Sequence, residues 1–205
     1  IMSLFSSGEF HPGNNTTQRE PQATGDLDAI VDTVNKAARP LLIVGPVVGR
    51  QNAGESVTRI AEKLQMAVMV TSKARGIISE DHSLFAGVIS GVYQKGTFEH
   101  RIISQSDLVI AVGLDRMELL SPWSYPQPLV SLDQISVPDT DKVGNPLYEA
   151  SGPLPQTLAL LEVGLKSRTT WSVSVLRDFW ENSLGVLGAN DSCLNAASLL
   201  SRARK

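Results

Sequence analysis

Residues 38–46 read ARPLLIVGP, an apolar run that lies between a proline and a glycine. Consecutive branched aliphatic residues at 41–44, with no polar alternation, are typical of a strand that is covered on both faces. Amphipathic helical patterns lie on either side of the run. We therefore predict that it forms the central strand of a parallel sheet. Its glycine turn would then lie at the carboxyl edge, where open α/β sheets bind ligands.

The rest of the chain alternates between helical and strand patterns. Apolar residues recur at helical spacing in residues 26–38, 54–65, 98–103, after Pro155, in 175–180 and in 194–200. Apolar runs typical of buried strands lie at residues 67–70 and 108–113, and further strands are predicted at residues 129–133 and 147–150. Repeated βα units predict an α/β fold, namely a three-layer α/β/α, Rossmann-like domain with a mostly parallel sheet of about six strands. We place this domain at residues 26–166.

Composition excludes several classes of function. The chain has 205 residues and a net charge of -3, which gives no general basis for binding nucleic acid or an anionic membrane surface. A single cysteine, Cys193, cannot form an internal disulfide, and no Cys/His cluster suggests zinc. The apolar runs fall far short of the roughly 20 residues that span a bilayer. We expect a cytoplasmic protein that contacts neither membrane nor nucleic acid.

The turn after the central strand matches neither phosphate-binding fingerprint. Residues 49–56, GRQNAGES, have the glycine spacing and the serine of a P-loop, but Glu55 stands where a lysine would neutralise phosphate. The glycines do not fit GxGxxG either, and Pro46 removes one backbone N–H. Thr71 ends the next strand in place of the acid that would hold a ribose. Glycines that let a strand turn tightly into a helix are therefore favoured over a phosphate site.

No catalytic group and no metal ligand is predicted in this chain. The polar residues at 73–82 would suit acid–base catalysis by composition, yet we interpret them as a surface loop. No serine lies in a nucleophile-elbow setting, so a hydrolase triad has no support. We interpret Trp123, Trp171 and Trp180 as packing or interface residues.

Residues 71–87, TSKARGIISEDHSLFAG, resemble the central domain of thiamine-diphosphate-dependent enzymes of the acetolactate synthase, benzoylformate decarboxylase and indolepyruvate decarboxylase group. In that family a strand ending in threonine precedes a lysine/glycine segment, a Pro/Ser-Glu-Asp-His stretch, an aromatic residue and a glycine. The similarity extends in order to residues 39–45, 91–97, 106–113 and 130–133. It covers about residues 26–165.

The resemblance implies a larger parent protein of three domains. Residues 1–25 would be the linker from a pyrimidine-binding domain, and residues 167–205 a helical linker with the start of a diphosphate-binding domain. The parent would bind thiamine diphosphate and magnesium outside this chain, and would act as an acetolactate synthase-like carboligase or a 2-oxo acid decarboxylase. Its flanking domains are the expected partners, in a homo-oligomer. The fragment alone is expected to be inactive.

Some members of this family carry FAD or ADP in the central domain. The family's contacts would map to five positions here: Gly45, Thr71, Gly113, Leu114 and Asp133. Flavin-binding members have an arginine two residues after the second glycine, whereas this chain has Asp115, so a FAD diphosphate would be poorly compensated. We expect an empty or vestigial site in a scaffolding domain. The alternative is a free-standing Rossmann-like nucleotide-binding module.

Overall fold

The computed structural model describes residues 23–135 and 143–188. Within these ranges the strands are β1 (Thr24–Gly25), β2 (Pro40–Val44), β3 (Ala67–Val70), β4 (Phe85–Val88), β5 (Leu108–Val112), β6 (Leu129–Asp133) and β7 (Tyr148–Ser151). The helices are α1 (Leu27–Lys36), α2 (Pro46–Arg50), α3 (Gly54–Leu64), α4 (Phe98–Ile103), α5 (Leu154–Gly164) and α6 (Val173–Gly188). Two short 3₁₀ turns lie at Ser72–Ala74 and Arg116–Glu118.

The strands form one sheet in the order β1-β7-β6-β5-β2-β3-β4. Strands β2 to β7 are parallel, and β1 pairs antiparallel with β7. Leaving β1 aside, this is the order of the doubly wound Rossmann fold, in which the winding direction reverses between β2 and β5. The predicted α/β, Rossmann-like architecture with a mostly parallel sheet is therefore confirmed.

The apolar run at residues 40–44 is the central strand, as predicted. All five residues of β2 are buried, and the strand pairs with β3 on one side and β5 on the other. Leu42 lies opposite Val68 and Ile110, so apolar side chains meet on both flanks. Because helices cover both faces of a doubly wound sheet, a strand in this position needs no polar face.

Two strands and one helix were missed by sequence reasoning. The described residues hold seven strands where about six were predicted: β4 contains Gly87 at φ +110°, and β1 is only two residues long. Strand β1 uses the end of the predicted linker 1–25, and it is held by pairing with β7. The predicted glycine turn after β2 is the one-turn helix α2, which begins at Pro46 because proline suits the first helical position.

Other predicted helices agree with the structure. Helices α1, α3 and α4 fall where the apolar spacing placed them, and α5 begins at Leu154, one residue before Pro155. The helix predicted around residues 194–200, most of the N-terminal linker and Cys193 lie outside the described residues. None of the helices in the described ranges is long and apolar enough to cross a membrane.

Candidate functional site

A cavity of about 830 Å³ opens at the carboxyl ends of β5, β6 and β7. Its wall includes the loop after β5, the end of β6, the end of β7, the short helix α2 and the strand β1. It therefore lies beside the point where the winding of the sheet reverses, which is the usual place for a ligand in this type of fold.

The charges that line this cavity are predominantly negative. Among the described residues, four acids and two arginines contribute to the wall: Asp26, Asp115, Asp133, Glu149, Arg50 and Arg116. Asp115, which follows β5, contributes one of these acids. Carboxylates repel a phosphate or diphosphate at close range, so the electrostatics of the wall disfavour an anionic ligand.

Asp133 ends β6 and is half-buried in the cavity wall. Its Oδ1 accepts a hydrogen bond from the Gln134 backbone N–H at 2.6 Å. Burial raises the pKa of the Asp133 carboxyl, and the neighbouring carboxylate of Asp115 acts in the same direction. The Gln134 N–H and the Arg50 charge lower this pKa, and the burial effect outweighs them.

The two predicted glycines meet at the crevice between β2 and β5. The Gly45 N–H donates to the carbonyl of Val112 at 2.8 Å. A methyl group on Gly45 would overlap the carbonyl oxygen of Gly113 and lie 2.5 Å from the Cα of Leu114. Gly113 has a φ of +59°, and a Cβ there would lie 2.8 Å from the Cβ of Val47. The glycines thus allow two turns to pack directly against each other, and their contact fills the crevice.

The backbone amides at the start of α2 all have partners within the protein. The N–H groups of Gly45, Val47 and Val48 donate to carbonyl oxygens at 2.8, 3.2 and 3.3 Å, and Pro46 has no N–H. A helix N-terminus binds phosphate only when its amides are free to point at the ligand. This turn therefore does not fit a nucleotide diphosphate.

The five positions suggested by the family resemblance occupy three different settings. Leu114 and Asp133 line the cavity, whereas Gly45 and Gly113 form the packed crevice beside it. Thr71 lies at the end of β3 and is absent from the cavity wall. Its side chain is fully buried, and its Oγ1 has no hydrogen-bond partner among the described residues.

Sequence reasoning missed the cavity residues Arg50, Asp26 and Glu149. Arg50 ends α2, which was expected to be a simple turn, and Asp26 follows the unpredicted strand β1. Glu149 lies within β7. No local signal marks these residues, because the pairing of β1 with β7 brings Asp26 and Glu149 to the wall, and α2 brings Arg50.

A second polar cluster surrounds the buried carboxylate of Glu99 on α4. It accepts hydrogen bonds from the Ser90 N–H and Oγ, both at 2.8 Å, from the Gly91 N–H at 3.1 Å, and from the Tyr125 hydroxyl. Burial raises the pKa of Tyr125, and the Glu99 carboxylate raises it further. Because Glu99 is paired with donors on every side, the cluster holds the chain after β4 in place and offers no reactive group.

The polar segment at residues 73–82 behaves as a surface loop. Arg75 pairs with Glu80 at 2.8 Å, and Lys73 pairs at 3.2 Å with Glu118. The Lys73 and Arg75 side chains are exposed, whereas the Glu118 side chain is buried. None of these side chains lines the cavity described above. In the described part of the chain, no group of three or more His, Cys, Asp or Glu residues is arranged to hold a metal ion.

Comparison with known proteins agrees with the fold and with the motifs. Residues 27–145 match the family model described as thiamine pyrophosphate enzyme, central domain. The chain is 27% identical over 150 residues to acetolactate synthase of Bacillus subtilis, a match that covers 69% of this chain and 25% of that protein. It is 32% identical over 107 residues to the acetolactate synthase large subunit of Parasynechococcus marenigrum, covering 52% of this chain and 16% of that protein.

A solved structure shows the same fold. Benzoylformate decarboxylase from Polynucleobacter necessarius superposes with a TM-score of 0.61 at 20% identity, over 84% of this chain and 32% of that one. The doubly wound sheet and its carboxyl-edge crevice thus place the protein in the class of Rossmann-like α/β domains. Within that class, the chain belongs to the thiamine pyrophosphate enzyme family and matches its central domain. It spans a quarter or less of the length of the two acetolactate synthases.

Proposed function

We propose that this chain is the central domain of a larger thiamine-diphosphate-dependent enzyme, an acetolactate synthase-like carboligase or a 2-oxo acid decarboxylase. The observation that carries the proposal is the match of residues 27–145 to the central-domain model. The relatives named acetolactate synthase and the fold shared with a benzoylformate decarboxylase support it. The parent would be a cytoplasmic homo-oligomer whose flanking domains contact this one.

In this proposal the domain is a scaffold. Thiamine diphosphate, bound with magnesium by other domains, would supply carbanion stabilisation next to a carbonyl. Residues 1–25 and 167–205 would link the central domain to its neighbours. The residues described here support this division of labour, since the amides at the start of α2 are already bonded and the neighbouring cavity carries more acids than arginines.

The direct test is an assay of the full-length protein encoded by the parent reading frame. We expect consumption of pyruvate or another 2-oxo acid that requires both thiamine diphosphate and magnesium and that stops after treatment with a chelator. In the family that this chain resembles, a Gly-Asp-Gly motif followed by paired asparagines holds magnesium and the diphosphate, and we expect it to be encoded downstream of Lys205. A full-length protein without that motif and without cofactor-dependent turnover would overturn the proposal.

A second candidate, a free-standing nucleotide-binding module, would depend on the cavity of about 830 Å³ at the carboxyl edge, and the excess of acids in its wall weighs against that candidate. Calorimetric titration of the purified full-length protein with NAD separates the two candidates. Stoichiometric binding of NAD would support the module and contradict the scaffold. Absence of any heat of binding would support the scaffold, in line with the missing dinucleotide fingerprint.

A further inference from the structure

Residues 165–172, here called the strap, connect α5 to α6 and belong to neither a helix nor a strand. The strap crosses the end of the domain at which the parallel strands begin, because it contacts the ends of α1 and α3 and the first residue of β2. In a doubly wound fold the helices run antiparallel to the strands, so several helix C-termini lie at this end. Their last carbonyl groups lack partners within the helices and need donors from elsewhere.

The strap supplies donors to the end of α3. The backbone N–H groups of Arg168, Thr170 and Trp171 donate to the consecutive carbonyls of residues 63–65 at 3.2, 3.0 and 3.0 Å. The Thr170 hydroxyl, which is buried, reaches the carbonyl of Leu64 at 3.0 Å. Three of the strap's eight residues therefore extend the hydrogen bonding of a helix that precedes them by about a hundred positions.

The strap also closes the end of α1. The Arg168 guanidinium donates through Nη2 to the carbonyls of Val34, at 2.7 Å, and Ala37. A cation in this position is favoured by the negative end of the helix dipole. Asn35, on the same helix, binds the beginning of the strap. Its Nδ2 donates to the carbonyl of Gly164 at 3.0 Å, and its Oδ1 accepts from the Lys166 N–H at 2.9 Å.

Two apolar side chains anchor the strap in the core. Leu165 is 4% exposed and Trp171 is 2% exposed. The Trp171 indole N–H donates to the carbonyl of Pro40 at 2.7 Å, at the first residue of the central strand. Linkers between domains usually make few contacts and move freely, whereas four of the eight residues here, Lys166, Arg168, Thr170 and Trp171, are hydrogen-bonded to other elements.

We propose that the strap is a rigid joint that fixes where α6 begins on this domain, and through α6 the direction in which the chain continues. The domain would then orient whatever follows α6, and Arg168 is the positioning residue of the joint. The inference rests on the proposed function in one respect, namely that a diphosphate-binding domain follows. Movement of the strap would leave carbonyls at the ends of two helices without donors, which is why the joint resists bending.

Hydrogen exchange on the full-length protein tests the rigidity. In the wild type we expect the hydrogen-bonded strap amides, those of Lys166, Arg168, Thr170 and Trp171, to exchange as slowly as the amides of β2 and β5. Arg168→Ala should speed exchange in the strap by about tenfold while leaving β2 and β5 unchanged. Lys166→Ala is the matched control, because that exposed residue contributes only its backbone N–H to the contacts above. Wild-type strap amides that exchange as fast as the loop at residues 94–96 would overturn the proposal.

A distance measurement tests the orienting role separately from stability. One dye is placed at the exposed position Asp28→Cys and another at the carboxyl terminus of the full-length protein, in a Cys193→Ser background. We expect a narrow distribution of energy-transfer efficiencies between the two dyes in the wild type and a broader distribution in Arg168→Ala. An unchanged distribution in Arg168→Ala would contradict the joint. Neither measurement uses substrate, so a rigid strap in an inactive protein would count against the proposed function alone.

Discussion

At the scale of single residues, close packing explains why Gly45 and Gly113 occur where the family resemblance drew attention to them. Each allows one turn to approach another more closely than a side chain would permit. The Gly45 N–H donates to β5 and leaves no amide for a ligand at that point. A glycine after a strand can thus be required by close packing alone, although glycines at such positions also occur in nucleotide-binding turns.

Gly45→Ala is expected to destabilise the domain by about 3 kcal/mol, because the new methyl group meets backbone atoms that cannot rotate away. The midpoint of urea unfolding measures the change. Gly49→Ala serves as the control, since its Cβ would lie 3.5 Å from the flexible Ile77 side chain, in ordinary contact. Equal stabilities of the two variants would show that the Gly45 contact is more compliant than described.

Asp133 is expected to make the stability depend on pH. Since burial raises the pKa of this carboxyl in the folded state, its contribution to stability is complete below the unfolded pKa of about 3.9 and is lost as the pH rises through the folded pKa. Asp133→Asn should therefore raise the melting temperature at pH 7 by more than at pH 4. Thermal unfolding at the two pH values measures the difference.

The matched control for Asp133→Asn is Asp32→Asn, which removes an exposed acid from α1. The asparagine at position 133 keeps an oxygen for the Gln134 N–H, so the comparison isolates the charge. An advantage of Asp133→Asn that grew as the pH fell would have the wrong sign for a raised pKa.

At the scale of secondary structure elements, α6 covers the open edge of the sheet. Strand β4 is the edge strand beyond β3, and the Trp180 indole N–H donates to the Phe85 carbonyl on it at 3.1 Å. The Trp180 ring packs against Phe98 with ring centroids 4.8 Å apart. Covering an edge strand with a helix prevents it from pairing with another chain.

Trp180→Ala should lower the free energy of unfolding by about 2 kcal/mol and promote self-association, because it removes a half-buried aromatic ring and uncovers the β4 edge. Urea unfolding and light scattering measure the two effects. Arg177→Ala changes an exposed residue of the same helix and should leave both unchanged. A Trp180→Ala protein that stays monodisperse and fully stable would show that α6 contributes nothing at this edge.

At the scale of the whole molecule, the cavity and the strap lie at opposite ends of the sheet. The carboxyl end presents acids and packed glycine turns, and the amino end holds the strap that leads into α6. This distribution suits a domain that connects other parts of a protein. It contrasts with a nucleotide-binding domain, whose carboxyl edge offers free amides and compensating cations.

The full-length protein is expected to bind FAD and ADP more weakly than about 1 mM at the carboxyl edge of this domain. Calorimetry and flavin absorbance of the purified protein measure this. Asp115→Asn removes one repelling charge and should still leave binding weak, because the amides of α2 remain bonded within the protein. Micromolar, stoichiometric binding of either nucleotide to the wild type would contradict the fit described for this site.

Part of the fold, and the family, could be predicted from the sequence alone. Strands β2, β3 and β5 are continuous apolar runs, and their burial on both faces follows from hydrophobicity alone. Strands β1 and β4 were not predicted, because their own sequences carry no clear strand pattern. They are strands because they pair with β7 and β3, respectively. The motifs at residues 71–87 pointed to the family that the comparison confirmed.

The candidate site shows where local information ends. Hydrophobic periodicity is a property of neighbouring residues, so it specifies the helices, the central strands and the fold class. The acidic wall joins Asp26, Asp133 and Glu149, and the strap joins Arg168 to Val34, across more than a hundred positions. Those contacts exist only once the chain has packed, because each group meets its partner on a distant element. The same holds for the hydrogen bond from the Gly45 N–H to the Val112 carbonyl.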